Sequence, residues 1–394
     1  MTFLPGRQVV VAGHAIRPKA EFTNTGSGLA PAQGILGSNG GDAGDWAYVP
    51  SGYLSWQLSP QWFVGVGVNA PFGLKTEYDP GWVGRFFALE SELKTYNVNP
   101  SIAFKVNDTV SLGAGLSWQR AKATLSNSVN YAAGAAAACV PQPACAGPTV
   151  AALTAAGQNE GVAKIEGDDD SWGWNVGAMF SLWQNTRIGI AYRSAITYKI
   201  NANVAFANRP AALGPALPDG PVTADLKLPA SASWSIFHQL NPKWDLLGDI
   251  TWTEWSSVKV LNIVRSNGTL LTTTPLNWKD VWRVSAGANY HHSNQLTMRF
   301  GVAYDQSPSP DADRTPRVPD QDRTWLAIGG QYRISKQAAV DVGYAHLWVK
   351  DPTLNLCNAA QAAANPPACS GKNNLVGRYD SNVNIVSVQL RYSF

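Results

Sequence analysis

The sequence predicts an all-β fold, a 14-stranded antiparallel transmembrane β-barrel with long extracellular loops and short periplasmic turns. Three observations predict it: segments in which apolar residues alternate with small or polar ones, little charge without any helix-length apolar run, and connections that switch strictly between tight and long. The 394 residues form one barrel domain, 1–394.

The alternation is a requirement of physics. Successive side chains of a strand point to opposite faces, so a strand between lipid and an aqueous lumen must change character at every residue. In the last segment Val386, Val388, Leu390, Tyr392 and Phe394 alternate with Ser387, Gln389, Arg391 and Ser393. Trp172, Trp174, Val176, Ala178, Phe180 and Leu182 do the same against Gly173, Asn175, Gly177, Met179 and Ser181, as do Leu296, Met298, Phe300, Val302 and Tyr304 farther on. The apolar set is expected to face lipid. Helical 3.6-residue spacing fits none of these stretches.

Composition supports the same class. Charged residues are 14% of the chain, against about 25% in soluble domains, while hydrophobic residues are 45%. Mean hydropathy is -0.14, and no run approaches the ~20 apolar residues of a spanning helix. The 16 Trp, 13 Tyr, 12 Phe and 36 Gly suit strands with interfacial aromatics and glycine-bearing turns. Net charge is +3 with no basic cluster, so nucleic acid is not an expected partner.

Fourteen segments are expected, near 7–18, 45–58, 61–70, 91–106, 109–128, 169–183, 186–201, 223–239, 243–261, 279–291, 295–306, 322–334, 338–350 and 380–394. Connections after the even-numbered segments are tight, among them Gln184-Asn185 and Asn241-Pro242. Those after the odd-numbered ones are long: 19–44, 71–90, 129–168, 202–222, 262–278, 307–321 and 351–379. This gathers the short turns at one end and the long loops at the other, as in bacterial outer-membrane barrels. Closure follows because an open edge in hydrocarbon leaves backbone groups unpaired at several kcal/mol each. A soluble sandwich or propeller also alternates, but does not account for the long segments, the asymmetry or the aromatic terminus Tyr392-Ser393-Phe394.

Two loops are unusually apolar. The loop 129–168 is Ala-rich, with a short helix expected at Val150 to Ala156 around Leu153; the loop 202–222 carries Phe206, Leu213 and Leu217. They either pack on each other or capture something hydrophobic. Cys139 with Cys145 and Cys357 with Cys369 read as two local disulfides of an oxidising compartment. Neither pair has C-x2-C spacing and no His lies near one, so no metal site is expected, nor any cofactor. No G-x-S-x-G elbow, P-loop or H-E-x-x-H motif occurs, so no enzyme is expected. No signal peptide is legible before the first strand, and the natural start is expected to lie upstream.

Asn69-Ala-Pro-Phe-Gly-Leu-Lys-Thr-Glu-Tyr78, Trp172-Gly-Trp-Asn-Val-Gly177, Ala191-Tyr-Arg-Ser194, Leu228-Pro-Ala230 and Val318-Pro-Asp-Gln-Asp-Arg323 occur in this order. The chain resembles the FadL/TodX (OmpP1) family of outer-membrane transporters from Met1 to Phe394. The resemblance implies passive uptake of long-chain fatty acids or aliphatic and aromatic hydrocarbons through a loop groove, a lumen pocket and a lateral opening at a kinked third strand. It implies a hydrophobic substrate, surrounding outer-membrane lipid and lipopolysaccharide, and a monomer. The family's N-terminal hatch precedes the first strand, and Met1 aligns just after it.

The kink maps to Asn69-Ala-Pro-Phe-Gly73. Pro71 has no N–H for the ladder and Gly73 permits unusual angles, so an interrupted strand around Phe72 is expected on the residues alone; the other reading is that the strand ends there. In fatty-acid members a basic residue near the end of the fifth strand holds the carboxylate, and that position is Leu125 here; Lys279, similar to a second basic member, is retained. Alternation places Lys279 and Arg283 on the lumen side of the tenth strand and Arg193 on that of the seventh. They read either as a cationic spot for a carboxylate or as ion pairs with Asp245, Asp249, Asp305 or Asp341. The alternative function is a general or substrate-selective porin for small polar solutes, which calls for a charged constriction and polar loops.

Overall fold

A computed structural model describes residues 1–138, 146–364 and 369–394. Its ladders run β1 (Arg7–Asn24), β2 (Ala47–Gln57), β3 (Trp62–Asn69) with its continuation β4 (Gly73–Glu77), β5 (Glu90–Lys105), β6 (Val110–Asn130) and β7 (Glu160–Trp183). Next come β8 (Thr186–Arg193) extended by β9 (Ile196–Ala207), β10 (Gly220–Leu228) leading into β11 (Ser231–Asn241), and β12 (Trp244–Thr253) extended by β13 (Val260–Arg265). The wall continues with β14 (Leu270–Pro275) leading into β15 (Val281–His291), then β16 (Leu296–Asp305), β17 (Arg323–Arg333), β18 (Ala338–Val349) extended by β19 (Thr353–Leu356), and β20 (Leu375–Ser393). Joined with their continuations these make fourteen strands, and β1 pairs with β20 from Gln8↔Ser393 to Asn24↔Gly377, so the barrel is closed and antiparallel.

The outer surface carries the alternation that the sequence shows. Val386, Val388, Leu390 and Tyr392 are exposed, as are Trp172, Trp174, Phe300 and Val302. Aromatic pairs ring both ends, Trp62 with Phe104 at 4.6 Å and Trp244 with Tyr290 at 4.8 Å by the short turns, Trp174 with Tyr192 at 5.3 Å nearer the loops. Along β7 the exposed Trp172 and Trp183 lie 11 residues apart. At ~3.3 Å per residue and a ~40° tilt this spans roughly 28 Å, the thickness of a hydrocarbon core.

The expected segments stop short at the loop end. β1 reaches Asn24 rather than 18, β7 starts at Glu160 rather than 169, and the expected loop 262–278 holds part of the β13–β14 hairpin. The reason is a reversal of polarity. Above the membrane the outside is water and the inside is packed protein, so on β9 Ile196, Tyr198, Ile200, Ala202 and Val204 point inward and are buried while Lys199, Asn201 and Asn203 point out. A pattern sought as apolar-toward-lipid misses the extensions of β1 and β7, and on the part of β9 that the expected segment 186–201 includes it does not tell that the apolar face turns inward.

The helix expected at Val150 to Ala156 is present as Ala146–Ala155, preceded by a second helix, Tyr131–Ala138. Cys357 and Cys369 form the expected disulfide, with Cα atoms 5.4 Å apart. Cys139 and Cys145 lie outside the described residues.

The long loops fold into the outer mouth as a plug with its own apolar core. Phe22, Tyr78, Trp82, Val83, Leu89, Leu354, Leu375 and Tyr379 are buried together. Trp82 stacks on Tyr78 at 4.0 Å and donates its indole N–H to the Ala88 carbonyl at 2.7 Å, so the one polar atom of a large buried ring has a partner.

Candidate functional site

The third strand breaks where its residues demand. β3 pairs with β5 up to Asn69↔Asn97 and β4 resumes at Gly73↔Lys94, so Ala70, Pro71 and Phe72 face only Thr95 and Tyr96. Pro71 has no donor to offer the ladder, and Thr95 repairs the interruption beside it. Its hydroxyl accepts from the Phe72 N–H at 2.9 Å and donates to the Phe72 carbonyl at 2.6 Å. Thr95→Val leaves the Phe72 N–H without an acceptor, which costs about 1–3 kcal/mol and is measured as a lowered urea midpoint for unfolding from vesicles.

On its other side the break leaves the wall unzipped. β2 pairs with β1 up to Ala47, but with β3 only from Gln57↔Phe63 to Gly52↔Val68, and β4 pairs with β5 alone. Residues 47–51 therefore have no ladder partner toward β4. Contact resumes higher up, where the Glu77 N–H donates to the Ala43 carbonyl at 3.1 Å and Lys75 meets Asp45 at 2.8 Å. Pro50 stands on the unpaired stretch of β2, a position that suits a residue with nothing to donate.

Inside, the loop half of the lumen is apolar. Ala121, Ile196, Tyr198, Ile200, Ala202, Val204, Val222, Leu228 and Ile263 form a buried cluster against which Phe72, Leu93, Leu125 and Phe206 pack. The Phe72 ring also meets Trp255 at 6.0 Å, edge to face, on a turn that follows β12. A side chain of the third strand that touches the turn after β12 has crossed the lumen, so the break bends inward. A file of polar groups runs beneath the cluster: the Tyr198 hydroxyl donates to Gln119 at 2.6 Å, Gln119 to Asn97 at 3.4 Å and Asn97 to Asn69 at 3.0 Å.

The turn half is different. It holds a cavity of about 1020 Å³ whose wall brings in charged and polar side chains, Asn175, Arg187, Asp249 and Arg299 among them, between apolar ones such as Met179, Ile190, Phe237 and Leu247. Below the break the lumen therefore carries charged side chains that the cluster above lacks, in a wall that remains largely apolar.

Of the residues picked from sequence, Phe72, Leu125 and Phe206 come together, with Pro71 and Gly73 at the break itself. Leu153 lies on the helix Ala146–Ala155, and Leu213 and Leu217 by the short turn 211–213, all three apart from the cluster. Arg283 faces Asp249 at 4.0 Å, one of the ion pairs expected for it. Arg193 is partly buried between Asn175 and Ser231 of the neighbouring strands, and makes no ion pair with an acidic residue among the described residues. Lys279 is a correction: it stands in the loop before β15, exposed, with its N–H on the Pro308 carbonyl at 3.0 Å. The short Asn-Trp-Lys-Asp stretch carries no period long enough to fix a strand start. Sequence reasoning missed Thr95, Trp255 and the inward face of β9, whose alternation was readable but of opposite sense.

The family described as outer membrane protein transport protein (OMPP1/FadL/TodX) matches residues 1–394. The chain belongs to this family. It is 30% identical to the long-chain fatty acid transport protein of Escherichia coli K12 over 325 residues, covering 78% of this chain and 72% of that protein. It is 33% identical to the 47 kDa outer membrane protein of Pasteurella multocida over 319 residues, with the same two shares, 78% and 72%. Among solved structures, a FadL homologue of Pseudomonas aeruginosa superposes with a TM-score of 0.85 at 26% identity, covering 100% of this chain and 91% of that one. The Pseudomonas putida toluene transporter TodX shares the fold at a TM-score of 0.66 and 18% identity, over 100% of this chain and 91% of its own. As a FadL/TodX protein the chain is an outer-membrane β-barrel of a family of transporters of fatty acids and hydrocarbons.

Proposed function

We propose that this protein takes up hydrophobic compounds, long-chain fatty acids or aliphatic and aromatic hydrocarbons, without an energy source and without chemistry on its cargo. Cargo is captured among the outer loops, crosses the apolar half of the lumen, and leaves sideways through the wall at the broken third strand. The observation that carries this reading is the unzipped stretch between β2 and β4, beside a Phe72 that reaches into the lumen.

Free energy supports the direction. Each CH2 removed from water gains roughly 0.8 kcal/mol, so an eight-carbon tail gains about 6, enough for capture and enough to trap the cargo unless it leaves into another apolar phase. The water beyond the periplasmic turns offers no such phase. The bilayer does. In this reading outer-membrane lipid, with lipopolysaccharide in the outer leaflet, lies against the gap and a single barrel works as a monomer; the exposed apolar belt supports the first part.

Proteoliposomes test this against the porin alternative. A fluorescent long-chain fatty acid is expected to enter protein-bearing vesicles faster than empty ones, while sugars cause no swelling above the empty-vesicle rate. Sugar-driven swelling without faster fatty-acid transfer would establish a porin instead.

A further inference from the structure

The two strand edges that border the gap stand apart, and something must hold them so. The edge of β2 over 47–51 and the facing edge of β4 both present backbone donors and acceptors with no ladder across from them. Unpaired backbone beside hydrocarbon is costly, and two facing edges satisfy each other by pairing, so the wall zips shut unless β4 is kept away from β2. β4 is only five residues long and its ladder runs to β5 alone.

The restraint comes from the lumen side. Thr76 lies across from Ser91, and Ser91 from Leu125, which packs on the lumen cluster, so the buried Thr76 side chain points inward. Its hydroxyl donates to the Arg317 carbonyl at 3.1 Å. Two residues on, the Tyr78 hydroxyl donates to the Pro316 carbonyl at 2.7 Å. Both acceptors belong to the loop 307–321.

That loop is fixed at every level. Near its tip the Arg317 guanidinium donates to the Glu90 carbonyl at 3.2 Å, the Ser91 hydroxyl at 2.9 Å, the Ser126 carbonyl at 3.3 Å and Asn127 Oδ1 at 3.1 Å, all at the loop ends of β5 and β6. In its middle the fully buried Arg314 donates to the Asp320 carbonyl at 2.7 Å, the Thr353 carbonyl at 3.0 Å and the Asp311 carboxylate at 2.6 Å. Its base is stapled by the stretch Val318-Pro-Asp-Gln-Asp-Arg323. Asp322 accepts from the Ser307 N–H and from the Tyr304 hydroxyl, both at 2.8 Å, and Asp320 accepts from the Ser307 hydroxyl at 2.9 Å. Hydrogen bonds to ionised groups are the strong ones, so the loop does not yield with β4.

We infer that the loop 307–321 is a bracket that holds β4 on the lumen side and keeps the exit beside it from zipping shut, with Thr76 and Tyr78 as the positioning residues through which it acts. This rests on the uptake reading and adds to it what keeps the exit open. The bracket governs release of cargo, not its capture.

The test uses the full chain. Thr76→Val keeps the shape of the side chain and removes the donor, Thr76→Ser keeps the donor, and Asp322→Ala frees the base of the bracket beside β16 and β17. In proteoliposomes Thr76→Val and Asp322→Ala are expected to transfer a fluorescent fatty acid about fivefold more slowly, the effect of losing one hydrogen bond, while Thr76→Ser transfers it like the wild type. In nanodiscs all three should bind dodecanoate as the wild type does, by calorimetry with empty nanodiscs subtracted. Amide hydrogen exchange over 47–51 and 73–77 should slow in the two slow variants because the edges have paired, whereas plain loss of support would speed it. Unchanged transfer in the folded variants, equal losses of binding and transfer, or faster exchange at these amides overturns the bracket and leaves the uptake reading standing. A wild type that moves fatty acid no faster than empty vesicles removes the uptake reading and the bracket with it.

Discussion

Gly73→Trp is expected to stop uptake while leaving the barrel folded. A Cβ built on Gly73 would meet only the Leu93 carbonyl oxygen, at 3.9 Å, which is ordinary contact, and Gly73 is exposed. The backbone at Gly73 is not in the left-handed region, so a side chain causes no strain there. The indole would therefore occupy the space between β4 and the unpaired stretch of β2, which no ladder fills. Transfer of a labelled fatty acid into vesicles should slow on the order of tenfold or more, a barrier increase of at least about 1.4 kcal/mol. Heat-modifiable gel mobility reports the fold, and Gly73→Ala, which adds one methyl group, should transport normally. Full transport by a folded Gly73→Trp protein would remove the sideways route.

The parts of this molecule that face lipid were legible in its sequence, and the reason is the solvent. Hydrocarbon accepts no polar side chain and no unpaired backbone, so Val386 to Phe394 alternate with Ser387 to Ser393 and the strand declares both its faces. The break was legible as well, because Pro71 and Gly73 state a local backbone rule that needs no tertiary context. The outer extensions of β1 and β7 were not, and on β9, which the expected segment 186–201 partly covers, what stayed hidden is the direction of the apolar face. On β9 the buried set Ile196, Tyr198 and Ile200 points inward, the reverse of the lipid-facing sense, since the surroundings there are water outside and protein within.

Features that depend on distant chain were less legible still. Leu125 and Phe206 were chosen for being apolar and do meet, but nothing local says that Trp255 closes on Phe72 or that Arg317 docks beside Ser91. Leu153, Leu213 and Leu217 were chosen by the same criterion and stay apart from the cluster. Apolar character tells that a side chain will be covered, without telling by what. Lys279 shows the same limit for charge, because its register depended on where β15 begins.

The plug should be the weakest cooperative unit, and Trp82→Ala should open it. Trp82 is fully buried in the loop core, stacked on Tyr78, edge-on to Phe22 at 5.6 Å, and so close to Gly40 that a Cβ there would lie 2.9 Å from its own Cβ. Truncating a buried Trp to Ala costs about 3–5 kcal/mol, because the surroundings do not fully collapse into the space. The wall does not share that cost. Its ladders are backbone bonds between strands, whereas the Trp82 ring's one hydrogen bond is to Ala88 within its own loop. The variant should keep its gel mobility yet be cut by protease between residues 78 and 89, and it should conduct more ions in a planar bilayer than the wild type, which is expected to be nearly silent. Tyr78, whose hydroxyl lies between Tyr379 at 2.8 Å and the Pro316 carbonyl at 2.7 Å, would lose its stacking partner and with it the tie between that loop and the segment carrying Arg317. A variant as silent and protease-resistant as wild type would show that Trp82 does not hold the plug shut.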